Sequence, residues 1–338
     1  MLIFPCLLLI ITNYKGVINM NNLRKIGLSA LAGSLATFSV NAAEMSVSGS
    51  ASITMDNTNR EYGSNGNSFY MGDSIKFNAS GETETGMGVA VYYEWDGQIL
   101  DDYNLKLTGD FGSLTFDGHG GSSAFGAVDD VTPNAYEEAW DVIDTNGATA
   151  GGTPTVINGD GANNMFIYKS PSVGGATLTA AYVNNGTSGA MPESYTDFAI
   201  AISPEGMDGL TIGGAVSSND VTNTTSSDET TMYVKYATGA LTFGLQASDQ
   251  DHTTATSDNE SVAFGVTYAV NDDLSIGYSY HELETGTAGD EDQESTGISA
   301  SYTMGGMTLG GSMNEVDNMG GVAATDREGY EFSLSFAF

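Results

Sequence analysis

Carboxylates are the side chains of this sequence that are numerous and concentrated enough to do chemistry. The chain has 43 Asp and Glu residues against 9 Lys and Arg, and its formal net charge is −34 at pH 7. One segment, residues 118–163, is long, acidic and without regular periodicity, which predicts a loop. Its acidic residues include Asp129, Asp130, Glu137, Glu138, Asp141 and Asp144, which are the candidates for function. Structureless connections of this length are uncommon in compact proteins, so a function is expected for it.

Three aromatic side chains of the same segment, Phe125, Tyr136 and Trp140, could anchor it against the rest of the protein. An anchored acidic loop would place several negative charges at one fixed position and attract cations there. The alternative is a surface loop whose charges are merely solvated.

Other groups of residues that could bind a metal or catalyse a reaction give weaker signals in the sequence. Acidic runs at 227–229, 249–251 and 290–292 could bind Ca²⁺ through oxygen ligands, but none follows the EF-hand loop pattern. His119, His252 and His281 are scattered, without the spacing of a metal site. Serines are plentiful, yet nothing marks a Ser-His-Asp set. We therefore expect no enzymatic activity and no cofactor, with calcium in the acidic runs as the open alternative.

The elements that must position these side chains follow a strict alternation of apolar and polar residues. The alternation is clearest at 45–55 and 329–338. It recurs at 69–80, 87–96, 102–109, 113–117, 164–169, 176–183, 194–202, 209–216, 230–237, 240–248, 261–270, 274–281, 295–304 and 307–314. A period of two predicts strands with one apolar and one polar face. Segments of about ten such residues between turns are typical of an all-β, antiparallel transmembrane β-barrel, here with about sixteen strands.

The connections between these segments support the same architecture. Short turns at positions such as 109–112, 238–239 and 305–306 alternate along the chain with longer polar stretches such as 217–229 and 282–294. Membrane barrels have short turns at one rim and long loops at the other. No stretch after residue 43 approaches the ~18 consecutive apolar residues of a transmembrane helix.

Four lysines lie on the polar phase of their predicted strands: Lys76, Lys106, Lys169 and Lys235. A lysine on the lipid-facing phase near the middle of the bilayer would cost about 2–4 kcal/mol, and this cost alone explains why all four lysines lie on the polar phase. Their position therefore supports an aqueous lumen and does not by itself show a constriction.

The N-terminal part of the chain has the features of an export signal. Residues 20–42 combine the basic Arg24 and Lys25, a short apolar stretch and a small-residue cleavage site before Ala43. Residues 1–19, which contain the only cysteine, Cys6, are expected to be an upstream start-site extension. The barrel domain would then comprise residues 43–338. All the carboxylates lie in this part of the chain.

Four pieces of the sequence resemble the general porin family of Gram-negative bacteria. Residues 74–93 (SIKFNASGETETGMGVAVYY) resemble the second hairpin of that family. Residues 107–116 (LTGDFGSLTF) resemble its turn before the third loop, and residues 164–178 (NMFIYKSPSVGGATL) its strand and turn after that loop. The fourth is the terminal aromatic residue Phe338. The second and third pieces bracket the long acidic segment.

The resemblance implies a sixteen-stranded trimeric barrel whose third loop folds into the lumen and narrows it. It further implies that the four lysines face the acidic loop across the pore, and that Phe338 is recognised by the barrel-assembly machinery. One difference is evident at 116–119 (FDGH), where members of the family usually carry an arginine. The basic side of the pore is therefore expected to be weaker.

From these features we expect a water-filled outer-membrane channel for passive diffusion of ions and small hydrophilic solutes, weakly cation-selective. The lipid bilayer, two further copies of the chain, the assembly machinery and the solutes are its expected partners. Nucleic acid is a poor partner for so acidic a chain. A substrate-specific channel, a barrel-type surface adhesin or structural protein, and a membrane-barrel enzyme are the alternatives.

Overall fold

The computed structural model describes residues 44–59, 68–97, 99–141, 156–159, 163–184, 194–222, 225–253 and 258–338. Within these residues no helix is long and apolar enough to span a membrane. The strands are β1 (Glu44–Asn59), β2 (Ser68–Glu82), β3 (Gly88–Asp96), β4 (Ile99–Gly109), β5 (Gly112–His119), β6 (Met165–Lys169), β7 (Ala176–Asn184), β8 (Ser194–Ile202), β9 (Leu210–Thr222), β10 (Thr225–Thr238), β11 (Leu241–His252), β12 (Asn259–Ala269), β13 (Leu274–Thr285), β14 (Gln293–Met304), β15 (Met307–Asp317) and β16 (Arg327–Ala337). A short 3₁₀ helix (Met319–Gly321) lies between β15 and β16.

The sixteen strands form one closed antiparallel barrel. Each strand pairs with its neighbours in sequence, and β1 closes the barrel by pairing with β16, with Ser50 opposite Ala337. Beyond β16, Phe338 exchanges two backbone hydrogen bonds with Gly49, of 2.7 and 3.0 Å. Closure leaves no sheet edge, which is the condition for strands to cross hydrocarbon. The predicted sixteen-stranded barrel is confirmed.

The apolar phase of the strands faces outward. Val47, Met71 and Leu245 expose 61%, 67% and 51% of their surface, although each lies within a paired strand. In a water-soluble barrel such side chains would fill the interior. Here the inward phase carries Ser, Thr, Gly, Ala and the four lysines instead, so the outer surface is apolar and the lumen is polar.

Several strands continue beyond their predicted ends at the rim of the long loops. The predicted loop at 217–229 is mostly strand in the structure, because β9 extends to Thr222 and β10 begins at Thr225. The ladder pairs Ser217 with Glu229 and Asn219 with Ser227. Both faces of these extensions are polar, so the hydrophobic alternation disappears while the backbone hydrogen bonds continue.

The predicted extension at 1–19 and the predicted signal peptide at 20–42 lie outside the described residues. The first described element, β1, begins at Glu44.

The assignment of the two faces can be tested by placing a charge on each. Leu245 faces outward on β11 between Val234 and Phe264, so Leu245→Arg is expected to lower the free energy of unfolding in lipid vesicles by about 2–4 kcal/mol. Thr242→Arg places the same charge on the inward phase of the same strand, and we expect a change of less than 1 kcal/mol there. Equal losses in urea titrations of the two variants would contradict the assignment.

Candidate functional site

The long segment between β5 and β6, which we call the third loop, lies inside the barrel. Its described residues are 120–141, 156–159 and 163–164. They contact the inward face of the wall from β8 to β16. The prediction that the third loop folds into the lumen is confirmed.

The first attachment of the loop is a buried carboxylate on β8. Asp197 is fully buried and accepts hydrogen bonds from the backbone N–H of Phe125 at 2.6 Å and of Ala181 at 3.0 Å. The hydroxyl of Tyr195 donates to the same carboxylate at 3.0 Å. A buried carboxylate is stable only when its oxygens accept hydrogen bonds. Here the three donors are a backbone N–H of the loop, a backbone N–H of β7 and the hydroxyl of Tyr195.

Next to this carboxylate the loop makes a small hydrophobic core. Phe125 is completely buried between loop and wall. The other members of the cluster are Ala124, Ile157, Met165, Ala181, Val183, Tyr195, Ala199, Ala215 and Leu283. Burial of an aromatic side chain of this kind is worth about 1.5–3 kcal/mol relative to exposure. The loop therefore supplies the barrel interior with apolar packing that the polar lumen otherwise lacks.

The second attachment is the amide of Gln246 on β11. Its Nε2 donates to the carbonyl oxygens of Val128 and Asp129, both at 2.8 Å, and its Oε1 accepts from the N–H of Val131 at 3.0 Å. Nε2 also lies 2.8 Å from Thr231 Oγ1. One buried side chain thus satisfies three backbone groups of the loop.

The third attachment fixes the part of the loop that carries most of the acidic residues. The N–H of Ala135 donates to Ser299 Oγ at 3.0 Å, and Asn314 Nδ2 donates to the carbonyl of Glu138 at 2.5 Å. The hydroxyl of Tyr136 donates to Glu331, which also accepts from Tyr70 on β2 at 3.1 Å. The ring of Trp140 contacts His281 at 4.7 Å between centroids. Phe125, Tyr136 and Trp140, the three predicted anchors, all contact the wall.

A row of inward-facing glycines makes room for this part of the loop. A Cβ at Gly244 or Gly265 would overlap Pro133, and one at Gly277 would lie 2.8 Å from the N atom of Ala135. The two next strands continue the row with Gly297 against Ala139 and Gly310 against Tyr136. Five adjacent strands, β11 to β15, thus present bare backbone where the loop approaches most closely.

Asp129 is held within the loop itself. The N–H of Gly159 donates to its Oδ2 at 2.8 Å. Burial raises the pKa of Asp129 to about 6, and the hydrogen bond from Gly159 opposes that rise. This carboxyl therefore changes its charge between acidic and neutral pH.

Four more carboxyls of the loop form a connected cluster: Asp130, Glu137, Glu138 and Asp141. One oxygen from each of Glu137, Glu138 and Asp141 lies within 4.8 Å of the others. Burial and the neighbouring Glu138 raise the pKa of Asp130 and of Asp141, although both side chains reach the lumen. Burial also acts on Glu138, but hydrogen bonds from Asp141 and Asp130 outweigh it and lower its pKa. Like charges this close share protons.

The predicted basic residues occupy two different places. Lys76 on β2, Lys106 on β4 and Lys169 on β6 belong to the arc of wall that carries none of the three attachments. Lys76 pairs with Glu94 at 3.3 Å, so part of its charge is compensated. Lys235 on β10 instead lies close enough to Asp130 to lower its pKa, on the side of the loop. Asp144, the sixth predicted acidic residue, lies outside the described residues.

The polar attachments were not predicted from the sequence. Asp197, Gln246, Asn314 and Glu331 stand on the inward phase, as the lysines do, but their partners lie more than a hundred residues away or in the loop. The recurrence of glycine on the inward phase of consecutive strands was a signal that could have located the path of the loop.

Among the described residues, the acidic runs considered for calcium do not belong to the groups in which three donor atoms converge. Groups of three His, Asp or Glu donors occur among the described residues at Asp101, Asp102 and His119, and at Glu137, Glu138 and Asp141. In the run at 227–229, Glu229 is buried and accepts hydrogen bonds from Ser217, Ser227 and Gln250.

Comparisons with known proteins agree with this architecture. The family model described as Gram-negative porin matches residues 27–318. A refined porin structure has a TM-score of 0.66 and 15% identity over 87% of this chain and 100% of that chain. The anion-selective porin from Comamonas acidovorans has a TM-score of 0.63 and 15% identity, covering 88% and 100%. The in-vitro folded trimer form of OmpT from Vibrio cholerae has a TM-score of 0.66 and 12% identity, also covering 88% and 100%. The search of curated proteins found no match.

The role of Gln246 can be tested by Gln246→Leu. The substitution leaves one N–H and two carbonyl groups of the loop without their partner, and each unsatisfied buried group costs about 1–3 kcal/mol. We expect faster proteolysis within 120–164 and noisier single-channel current. The control is Gln250→Leu on the same strand, which removes contacts to Glu229 and Asn259 and none to the loop. Identical behaviour of the two variants would contradict the assigned attachment.

Proposed function

We propose that this chain, which belongs to the Gram-negative porin family, lets ions and small hydrophilic solutes diffuse passively through an outer-membrane channel narrowed by its third loop. Its place is the outer membrane, and family and fold imply a channel rather than an enzyme. The observation that supports the proposal most strongly is the fixation of the acidic loop at three places inside the barrel.

Fixation matters because a channel can only select solutes with groups that keep their position. The three attachments of the loop lie on the wall from β8 to β16, and we expect the free cross-section between the described part of the loop and the arc from β1 to β5. The backbone that carries its carboxylates is held at Asp129 and Glu138, which limits how far these side chains can move from a passing ion. Size exclusion and charge would therefore act at the same level of the pore.

The sign of the charge favours cations. A pair of unit charges about 10 Å apart in water interacts by only ~0.4 kcal/mol, so one carboxylate selects almost nothing. Several carboxylates on a low-dielectric wall add their fields and raise the local cation concentration. The related porin from Comamonas acidovorans is anion-selective, so the fold does not fix the sign. In this chain the sign would follow from the loop carboxylates and the partly compensated lysines.

Trimer formation, assembly and export complete the proposal. One structure of the Vibrio cholerae OmpT is a trimer form, and we expect the same state here, in contact with the lipid bilayer. Phe338 would serve as the signal for the barrel-assembly machinery. Residues 20–42 would be removed as the signal peptide, and residues 1–19 would not belong to the mature protein. A substrate-specific channel would differ from this proposal by saturating with one solute.

The proposal is tested by single-channel recording in planar bilayers under a salt gradient. We expect stepwise insertion and a reversal potential displaced toward the cation potential. The variant Asp129→Asn, Asp130→Asn, Glu137→Gln, Glu138→Gln is expected to lower the cation-to-anion permeability ratio several-fold, because it removes four acidic side chains of the loop.

The matched control neutralises four exposed carboxylates at the short-turn rim, Glu84, Asp110, Glu205 and Asp208. It should leave the permeability ratio within a factor of about 1.5, because charges at the water-exposed rim are screened over about 8 Å. A folded wild-type protein without conductance would refute the channel. An equal effect of both variants would refute the role of the loop.

The cation preference is also expected to depend on pH. Since the pKa of Asp129 is raised to about 6, this group is neutral at pH 5 and charged at pH 7.5, and the permeability ratio should rise over that interval. The contribution of Asp129 to folding stability changes in the opposite direction and falls as pH rises. The contribution of the buried, protonated carboxyl is fully present below the unfolded value of 3.8 and is lost as pH rises through about 6. Asp129→Asn should reduce the pH dependence measured by reversal potential; an unchanged pH profile in this variant would contradict the assignment.

A further inference from the structure

A second group of donor atoms lies away from the acidic cluster of the third loop, where β5 ends and that loop begins. It consists of Asp101 and Asp102 on β4 and His119, the last residue of β5. One donor atom from each residue lies within 4.8 Å of the other two. His119 Nδ1 is 4.0 Å from Asp101 Oδ1 and 4.0 Å from Asp102 Oδ1.

The local fold explains how consecutive residues of one strand reach the same point. The pairing of β4 with β5 shifts between Tyr103 and Asn104, so that Tyr103 lies opposite His119 and Asn104 opposite Asp117, with Gly118 as the additional residue. Such a bulge redirects side chains at the end of a strand. The imidazole of His119 stacks on the ring of Tyr103, with centroids 6.4 Å apart and planes inclined by 16°.

The backbone of the loop closes over the same carboxylate. Gly120 has φ of +75°, and a Cβ at this position would overlap the Asp102 carboxylate. Only glycine therefore allows the chain to turn from β5 into the third loop while Asp102 keeps its position.

The imidazole nitrogen indicates what this group of atoms could bind. His119 Nδ1 is buried and has no hydrogen-bond partner among the described residues. A distance of 4.0 Å to each carboxylate oxygen is too long for a hydrogen bond. Donor atoms that share one cation at about 2.1 Å lie roughly 3.4 Å apart in tetrahedral geometry, so a shift of about 0.6 Å would bring them into range.

We infer that Asp101, Asp102 and His119 form a binding site for a divalent transition metal ion, of which Zn²⁺ is the best match. An imidazole with two carboxylates suits Zn²⁺ and its neighbours in the periodic table, whereas Ca²⁺ and Mg²⁺ prefer oxygen ligands alone. The positive charge of the metal also relieves the repulsion between two adjacent carboxylates. All three side chains are partly exposed, between 32% and 42%, so solvent water can complete the coordination.

The site differs from the acidic cluster at Glu137, Glu138 and Asp141 in one measurable respect, because only this site offers a nitrogen ligand. The chain has three histidines and a single cysteine, Cys6, and His281 is buried beneath Trp140. A signal from one coordinated nitrogen can therefore be assigned by substituting His119 and, as the matched control, His252, which also has a buried Nδ1 without a partner.

The experiment uses the folded, metal-free protein in detergent. Titration calorimetry with Zn²⁺ is expected to show one site per chain, weakened at least tenfold by His119→Ala and unchanged by His252→Ala. Cu²⁺ added to the wild-type protein should give an electron paramagnetic resonance spectrum with coupling to one nitrogen, a readout that needs no variant. Heat-dependent gel mobility of each variant verifies folding.

Three results would overturn the assignment. The first is a wild-type Cu²⁺ spectrum without nitrogen coupling. The second is Zn²⁺ affinity that His119→Ala leaves unchanged. The third is loss of the site on replacing Glu137, Glu138 and Asp141 by their amides, which would move the ion to the third loop. Conductance is not part of this readout, so the metal site and the channel function can fail independently.

Discussion

The structure depends on one constraint, which is that hydrocarbon leaves no backbone N–H or C=O group unpaired without a cost of several kcal/mol. A sheet meets this condition only by closing, and β1 does so by pairing with β16 and by the contact between Gly49 and Phe338. Because the sheet is closed, the alternating apolar and polar residues of each strand form an outer and an inner surface. The apolar phase forms the outer surface, and the polar phase encloses the lumen.

A polar lumen can hold a loop only where the wall supplies specific partners. Here a buried carboxylate, Asp197, and a buried amide, Gln246, satisfy the backbone of the third loop. Glycines on five strands allow the loop to come close, for example Gly265 against Pro133 and Gly310 against Tyr136. Phe125 adds a hydrophobic cluster between loop and wall. Asp197 and Gln246, which hold the acidic loop in the channel, are themselves buried.

The sequence predicts the barrel better than it predicts the pore. Alternation such as that from 45 to 55 follows from a lipid face and an aqueous face, and it located all sixteen strands. It failed at 217–229, where both faces are polar and only the backbone ladder continues. The amino-acid composition of the loop was enough to predict its acidic character. The residues that contact these acidic side chains could not be predicted, because Lys235 approaches Asp130 and Asn314 binds Glu138 from distant parts of the chain.

Cysteine modification during single-channel recording shows whether the third loop lines the conducting path. Asp130 reaches the lumen from the loop. The variant Asp130→Cys is made in the chain that begins at residue 43, which has no other cysteine. A bulky cationic thiol reagent should lower its conductance in discrete steps, whereas Asp208→Cys at the short-turn rim should be modified without effect. Complete modification of Asp130→Cys with unchanged conductance would show that ions do not pass the third loop, so that the loop does not line the pore.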